Sequence, residues 1–323
     1  MTAGAGLAEA YRRAGVMLRS ARRLRVVSHL DLDGVGAAAI LARSARLRGG
    51  RASISVTGAR GVYKAVLREL RHAAAEGGLV VAADVSPGGR GAAAAVASGM
   101  RYGQRLLWLD HHVWEPGVVE ELERAGALVL IDRSRVTAEI AYLVSGLEGD
   151  ETAKTIVEVA RADDSCTEDP LGLAPKWRLV LRVLGPREAA RAAEALARGD
   201  LWPDWADKLY REHSQRYYDE IRRLTSVNTY EFEGLRIAVL TPPPRANACD
   251  VETIVEPPDA DLLLVLYPRG ISIRSLGRLR ADCIAKKLGG GGHPKAAGAP
   301  RPSTTMGAAQ VARMVARAAE GCG

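Results

Sequence analysis

Five short apolar runs alternate with alanine-rich stretches through the first part of this chain, and that rhythm limits its fold more than any other feature. The runs are Leu24 to Ser28, Ala52 to Thr57, Leu79 to Ala83, Arg105 to Leu109 and Ala127 to Ile131. Between them, residues near 34–48, 61–76 and 88–99 are long enough to form crossover helices. Strand and helix in alternation predict βαβ units and a mostly parallel sheet covered by helices. From Thr137 to Ala162 the pattern is helical, interrupted at Gly149-Asp150, and residues 169–224 also read as mostly helical with a break at Trp202-Pro203. A β-rich pattern follows, with strands expected near 235–240, 261–267 and 270–275 and a proline-rich loop at 241–245. A helix near 278–288, a run of four glycines ending in His293, and an amphipathic helix near 304–320 complete the chain. The expected class is α/β with two domains: a parallel-sheet domain at 1–200, a helical linker at 201–228 and a smaller α/β domain at 229–323.

Composition agrees with a folded chain of that kind. Of 323 residues, 47% are hydrophobic and 26% charged, which suits cores and leaves disorder, collagen and coiled coil poorly matched. The longest apolar runs, such as Leu262 to Tyr267, are far too short to span a bilayer. The N-terminal residues lack the apolar core of a secretion signal, so a cytoplasmic protein without a membrane partner is expected. Cys166, Cys249, Cys283 and Cys322 are scattered without a C-x-x-C pair, which argues against a zinc site and against disulfides. The formal charge of +7 is concentrated between Arg269 and Arg301, where eight basic residues face Asp282 alone. A solvated helix face is the plain reading of such a run, and a polyanion such as nucleic acid is the functional one.

The acidic and imidazole groups fall in a pattern of their own. One predicted strand ends in His29-Leu30-Asp31-Leu32-Asp33-Gly34, another in Asp84, and a third in Asp110-His111-His112. In a parallel sheet the carboxyl edge is where ligands bind, so these side chains would converge on one pocket. Taken singly, D-x-D-G is a turn or a cap, Asp84 ahead of Ser86-Pro87 an Asx-turn, and the histidines satisfied polar groups. Together they would repel one another unless cations neutralised them. Oxygen ligands mixed with imidazole and no thiolate suit Mn²⁺, with Mg²⁺ as the alternative, and the number of ligands suggests two ions sharing a carboxylate. Such a pair serves hydrolysis of a phosphate ester.

The same residues resemble a known family. His29-x-Asp31-x-Asp33-Gly34, Asp84-x-Ser86 and Asp110-His111-His112 are similar to the motifs of the DHH phosphoesterase superfamily. Gly289-Gly290-Gly291-Gly292-His293, preceded by Arg274-Ser275, resembles its associated substrate-binding domain, and the match in order runs from about residue 24 to 300. The resemblance implies a two-Mn²⁺ phosphodiesterase with its active site in a cleft between domains. It implies that His29, Asp31 and Asp84 hold one metal and that Asp33, Asp84, His111 and a later Asp hold the other. Asp164 is chosen for that later ligand over Asp163, because it precedes a small hydroxyl residue. By the same resemblance Asp110 orients the imidazoles, His112 faces the scissile phosphate, and Arg274, Ser275, Gly290, Gly291, Gly292 and His293 grip other phosphates. Asp132 has no counterpart and is read as structural, or as a cap ahead of Thr137.

The expected function is a Mn²⁺-dependent exonuclease or oligoribonuclease, NrnA-like or RecJ-like, that releases mononucleotides from short single-stranded RNA or DNA. A phosphatase of 3′-phosphoadenosine 5′-phosphate is the rival within the enzyme class. A non-catalytic nucleic-acid-binding replisome scaffold is the rival outside it. Trp114 is the one aromatic expected near the substrate, Trp108 is read as core, and a homodimer stays open.

Overall fold

A computed structural model describes residues 3–100, 103–256 and 258–323. The chain forms two compact units, 1–210 and 211–323.

In the first unit, α1 (Ala3–Arg19) precedes β1 (Arg23–His29), α2 (Leu32–Leu47), β2 (Arg51–Thr57), α3 (Val62–Glu76), β3 (Leu79–Ala83), α4 (Arg90–Gly99), β4 (Arg105–Asp110), α5 (Val118–Arg124) and β5 (Leu128–Ile131). The five strands are all parallel, in the order β2-β1-β3-β4-β5. Every residue of β3 is buried, because helices cover the sheet on both faces and leave the central strand no contact with water. One layer sets α2, α6 (Thr137–Ser145), α7 (Glu151–Ser165) and α8 (Ala174–Arg198) against the sheet, and the other sets α3, α4 and α5 against its opposite face. The break expected at Gly149-Asp150 is a helix start: Asp150 accepts the amide of Ala153 at 2.9 Å and caps α7. α8 is interrupted at Gly185, whose φ of 72° lies in the left-handed region, just before Pro186. The order 2-1-3-4-5 reverses between β1 and β3, and that crevice at the carboxyl edge is where open α/β sheets bind ligands.

α9 (Asp204–Leu224) crosses from the first unit into the second. The second unit adds β6 (Ser226–Phe232), β7 (Leu235–Thr241), α10 (Ala248–Ile254), β8 (Leu262–Leu266), β9 (Gly270–Ser275), α11 (Ala281–Lys287), β10 (Gly291–Gly292), β11 (Ala296–Pro300) and α12 (Ala308–Ala319). Its sheet has the order β10-β11-β9-β8-β7-β6 and is antiparallel except for the β7–β8 pair, which α10 connects. α11 and α12 bury one face around Ile273, Ile284 and Val315, while Ile221 and Val251 pack on the other.

Two expectations need correction. The strand pattern of the sequence does not include β6, β10 or β11: β6 is a largely exposed edge without an apolar run, and β10 and β11 consist of Gly, Ala and Pro. The glycine run is therefore part of this sheet. It makes a hairpin in which His293 N donates to Ala296 O at 2.7 Å and Gly291 and Gly292 pair with Gly298 and Ala297. Last, Cys283 and Cys322 form a disulfide despite a separation of 39 residues, because α11 and the C-terminal end bring their Cα atoms within 5.8 Å. Scatter along the sequence carries no information about that distance.

Candidate metal centre

The carboxyl ends of β1, β3 and β4 deliver the candidate side chains to one place. His29 is the last residue of β1, and Asp31 caps α2 by accepting the amide of Gly34 at 3.1 Å. His29 Nδ1 lies 2.7 Å from Asp31 Oδ2 and 4.0 Å from Asp84 Oδ2. Asp84 follows β3 with φ 63°, a left-handed conformation unusual for a residue with a side chain, and its amide donates to Leu109 O at 3.0 Å. This turn directs a carboxylate that is only 1% exposed into the space between the β1 and β4 residues.

From β4, His111 approaches the same carboxylate. Its Nε2 lies 3.5 Å from Asp84 Oδ1 and 3.7 Å from Asp33 Oδ2. Each oxygen of Asp84 thus faces a different histidine. His29, Asp31 and Asp84 present ligand atoms within 4.8 Å of one another, and so do Asp84, His111 and His112. A carboxylate oxygen of Asp164 also comes within 4.8 Å of a ring nitrogen of His111. Its neighbour Asp163 instead pairs with Arg178 Nε at 2.6 Å.

Asp110 is fully buried and organises the following residues. Its Oδ1 accepts the amides of His111 (2.8 Å) and His112 (3.3 Å) and lies 2.7 Å from His112 Nδ1. Its Oδ2 accepts the indole N–H of Trp114 at 2.6 Å. Trp114, read from the sequence as a residue near the substrate, is a support for this carboxylate. Trp108 is core, as read, and donates to Val85 O. Asp132 accepts from Ser134 and from Tyr11 OH at 2.8 Å and is structural, but it does not cap α6.

That cap comes from Asp33. The residue before α6 is Val136, which has no side-chain acceptor, and Asp33 instead accepts the amides of Thr137 and Ala138, both at 2.7 Å. Thr137 Oγ1 donates to Asp84 Oδ1 at 3.0 Å. Sequence reasoning missed Thr137 as part of the site; the one available signal was a helix start with no capping residue of its own.

The electrostatics without a cation are unfavourable. Burial pushes the Asp84 carboxyl well above the usual range, and repulsion from Asp31 and Asp33 adds to this. Burial also pushes Asp33 up to about 7; the Ala138 amide opposes the rise, while Asp31 and Asp164 reinforce it. Asp31 is held low: burial works against ionisation, but His29 overcomes it by attraction and a hydrogen bond. Asp31 in turn raises His29. His112 is raised to about 9, because the hydrogen bond and attraction from Asp110 outweigh the burial that lowers it. Asp84 Oδ2 is buried without a hydrogen-bond donor. Three converging carboxylates, two facing imidazoles and an orphaned oxygen between them make a donor set that fits divalent cations of the Mn²⁺ or Mg²⁺ kind.

In the second unit, Arg274 on β9 directs Nε at Glu252, 2.9 Å from Oε1 and 3.0 Å from Oε2. Ser275 is buried, its amide donating to Lys295 O and its hydroxyl to Gly277 O. Cβ atoms added at Gly290 and Gly292 would lie 2.0 Å from Gly298 O and 2.5 Å from the Ala297 Cα, whereas one at Gly291 would meet nothing within 4 Å. Two of these glycines are thus required by the close approach of β11, and Gly291 is open. His293 begins the hairpin turn and is exposed.

No protein-family model and no curated protein matches the sequence. Solved structures do. A DHH-domain member of the s1p family of ribosomal proteins superposes with a TM-score of 0.64 at 15% identity, over 98% of this chain and 92% of that one. RecJ of Thermus thermophilus, in complex with Mn²⁺, gives 0.58 at 20% identity over 98% of this chain, which spans only 55% of that protein. An exonuclease RecJ bound to manganese gives 0.54 at 17% identity, over 98% and 94% of the two chains. Among the described residues, no helix is long and apolar enough to cross a membrane.

Proposed function

We propose that this chain, whose fold is that of the DHH-domain proteins, is a metal-dependent phosphodiesterase that hydrolyses short single-stranded oligonucleotides to mononucleotides with two Mn²⁺ ions. The carrying observation is Asp84: its two oxygens face His29 and His111 separately, and Oδ2 is buried without a donor. The exonuclease RecJ with manganese, to which the fold is similar, supports the choice of metal and reaction class.

In this reading His29, Asp31 and Asp84 hold one ion, and Asp33, Asp84, His111 and Asp164 hold the other. When bound, such a pair lowers the pKa of a water and offsets charge on the phosphoryl oxygens. The protein's own groups do the rest. Asp110 holds the His112 ring by Nδ1, leaving Nε2 to meet a phosphate oxygen or protonate the leaving oxygen. In the metal-free chain, hydrogen bonding and attraction from Asp110 raise the His112 pKa to about 9, which favours its protonated form. Arg274, Ser275, Gly290, Gly291, Gly292 and His293 act as the phosphate-gripping set, with Gly291 leaving the backbone accessible.

The test is a product time course on end-labelled RNA and DNA, from dinucleotides to strands of about twenty nucleotides, with Mn²⁺, Mg²⁺ or chelator. Mn²⁺-dependent release of mononucleotides, abolished in Asp84→Ala and Asp110→Ala, is expected. Unchanged hydrolysis in those variants sinks the mechanism. Turnover of 3′-phosphoadenosine 5′-phosphate without dinucleotide cleavage would make the chain a phosphatase instead, and no turnover of either would favour a scaffold.

A further inference from the structure

We infer that Thr137 is a positioning residue for the shared carboxylate, and that the start of α6 presets both metal clusters before an ion arrives. The inference rests on the two-metal reading above and adds residues outside the ligand set to it.

Thr137 is wholly buried at the first turn of α6. Its side chain and backbone address two different carboxylates. Oγ1 donates to Asp84 Oδ1 at 3.0 Å, and the amide donates to Asp33 Oδ2 at 2.7 Å, beside the Ala138 amide on Oδ1 at 2.7 Å. A carboxylate can only accept, so these three donors fix which lone pairs remain for a cation. On Asp84, the hydroxyl occupies one side of Oδ1 and leaves the remainder toward His111, while Oδ2 stays toward His29.

The backbone alone cannot provide this orientation. Asp84 has φ 63°, and its amide is engaged by Leu109 O, which sets where the side chain starts but not the rotation of its carboxylate. The Thr137 hydroxyl sets that rotation. Asp33 is fixed by the unsatisfied amides of a helix whose own preceding residue, Val136, cannot cap it. One helix start therefore couples the carboxylate shared by both clusters to a carboxylate of the second. Donors of this kind hold ligands in register, and their loss typically weakens metal binding about 10- to 100-fold.

The experiment titrates Mn²⁺ calorimetrically into chelator-stripped wild type, Thr137→Ser, Thr137→Val and Thr137→Ala, with circular dichroism and melting temperature on the same samples. Ser keeps the donor, Val keeps the volume without it, and Ala serves as the second donor-free variant should valine not fold. Wild type and Ser are expected to bind two ions with affinities within a few-fold, and the folded donor-free variants to bind about 10- to 100-fold more weakly. Folded Val or Ala proteins that bind two Mn²⁺ as tightly as wild type overturn the inference and leave the two-metal reading standing. A wild type that binds no Mn²⁺ overturns both.

Discussion

Replacing Asp33 with Asn should flatten the pH dependence of stability in the metal-free protein. Asp33 is 3% exposed, and burial lifts its carboxyl from the ordinary 3.8 to about 7. Between those values the folded chain holds a proton that the unfolded chain has released, so stability falls as pH rises through the window. At about 1.4 kcal/mol per pH unit, the loss is about 4 kcal/mol, an upper bound because Asp84 shares the proton. Asp84 contributes in the same direction, and His112, raised to about 9, prolongs the fall above neutrality. Asp31 is held low and acts only below the ordinary carboxylate range. Urea denaturation in chelator at steps from about pH 4.5 to about pH 7 reads this directly. Wild type should lose several kcal/mol across the window and Asp33→Asn distinctly less. Saturating Mn²⁺ near neutral pH should restore the wild type, by about 2.7 kcal/mol at a hundredfold excess over Kd. A chelated wild type whose stability is flat or rises with pH, or an Asn variant with the same slope, refutes the reasoning.

Other outcomes follow from single contacts. Trp114→Phe removes the indole donor to the buried Asp110 Oδ2 and should lower the unfolding free energy measured in urea by about 1–3 kcal/mol, together with activity. Gly290→Ala, whose Cβ would sit 2.0 Å from Gly298 O, should strongly lower the melting temperature, whereas Gly291→Ala should leave it unchanged. If Gly291→Ala weakens oligonucleotide affinity at unchanged stability, the phosphate-gripping role of that backbone gains support. Reducing the Cys283–Cys322 bond, or replacing Cys322 with Ser, should destabilise the second unit by up to about 4 kcal/mol through the 39-residue closure it imposes; unfolding in the presence and absence of reductant measures it.

The parallel sheet was legible because strands buried on both faces must be continuous apolar runs, as Leu79 to Ala83 is. The edge that carries the acidic and imidazole groups was legible for a related reason: His29, Asp84 and Asp110 stand where such runs stop. What could not be read is whatever depends on contacts between distant segments. β11 is made of small residues and is held by backbone pairing with β9 and β10, so no propensity announces it. Trp114 looks like any aromatic beside a motif until its indole is found on Asp110. Thr137 lies 53 residues from the carboxylate that it orients. Of the two late aspartates, Asp163 pairs with Arg178, whereas Asp164 brings a carboxylate oxygen within 4.8 Å of a His111 ring nitrogen, and neither contact can be read from the sequence.

The most direct test of the shared-carboxylate centre is an anomalous difference map from crystals of the whole chain soaked in Mn²⁺ and recorded at the manganese edge. Two peaks about 3.5–4 Å apart are predicted, one beside His29 and Asp31, the other beside His111, with the Asp84 carboxylate between them. A single peak on one side of Asp84, or none in this crevice, would contradict the account.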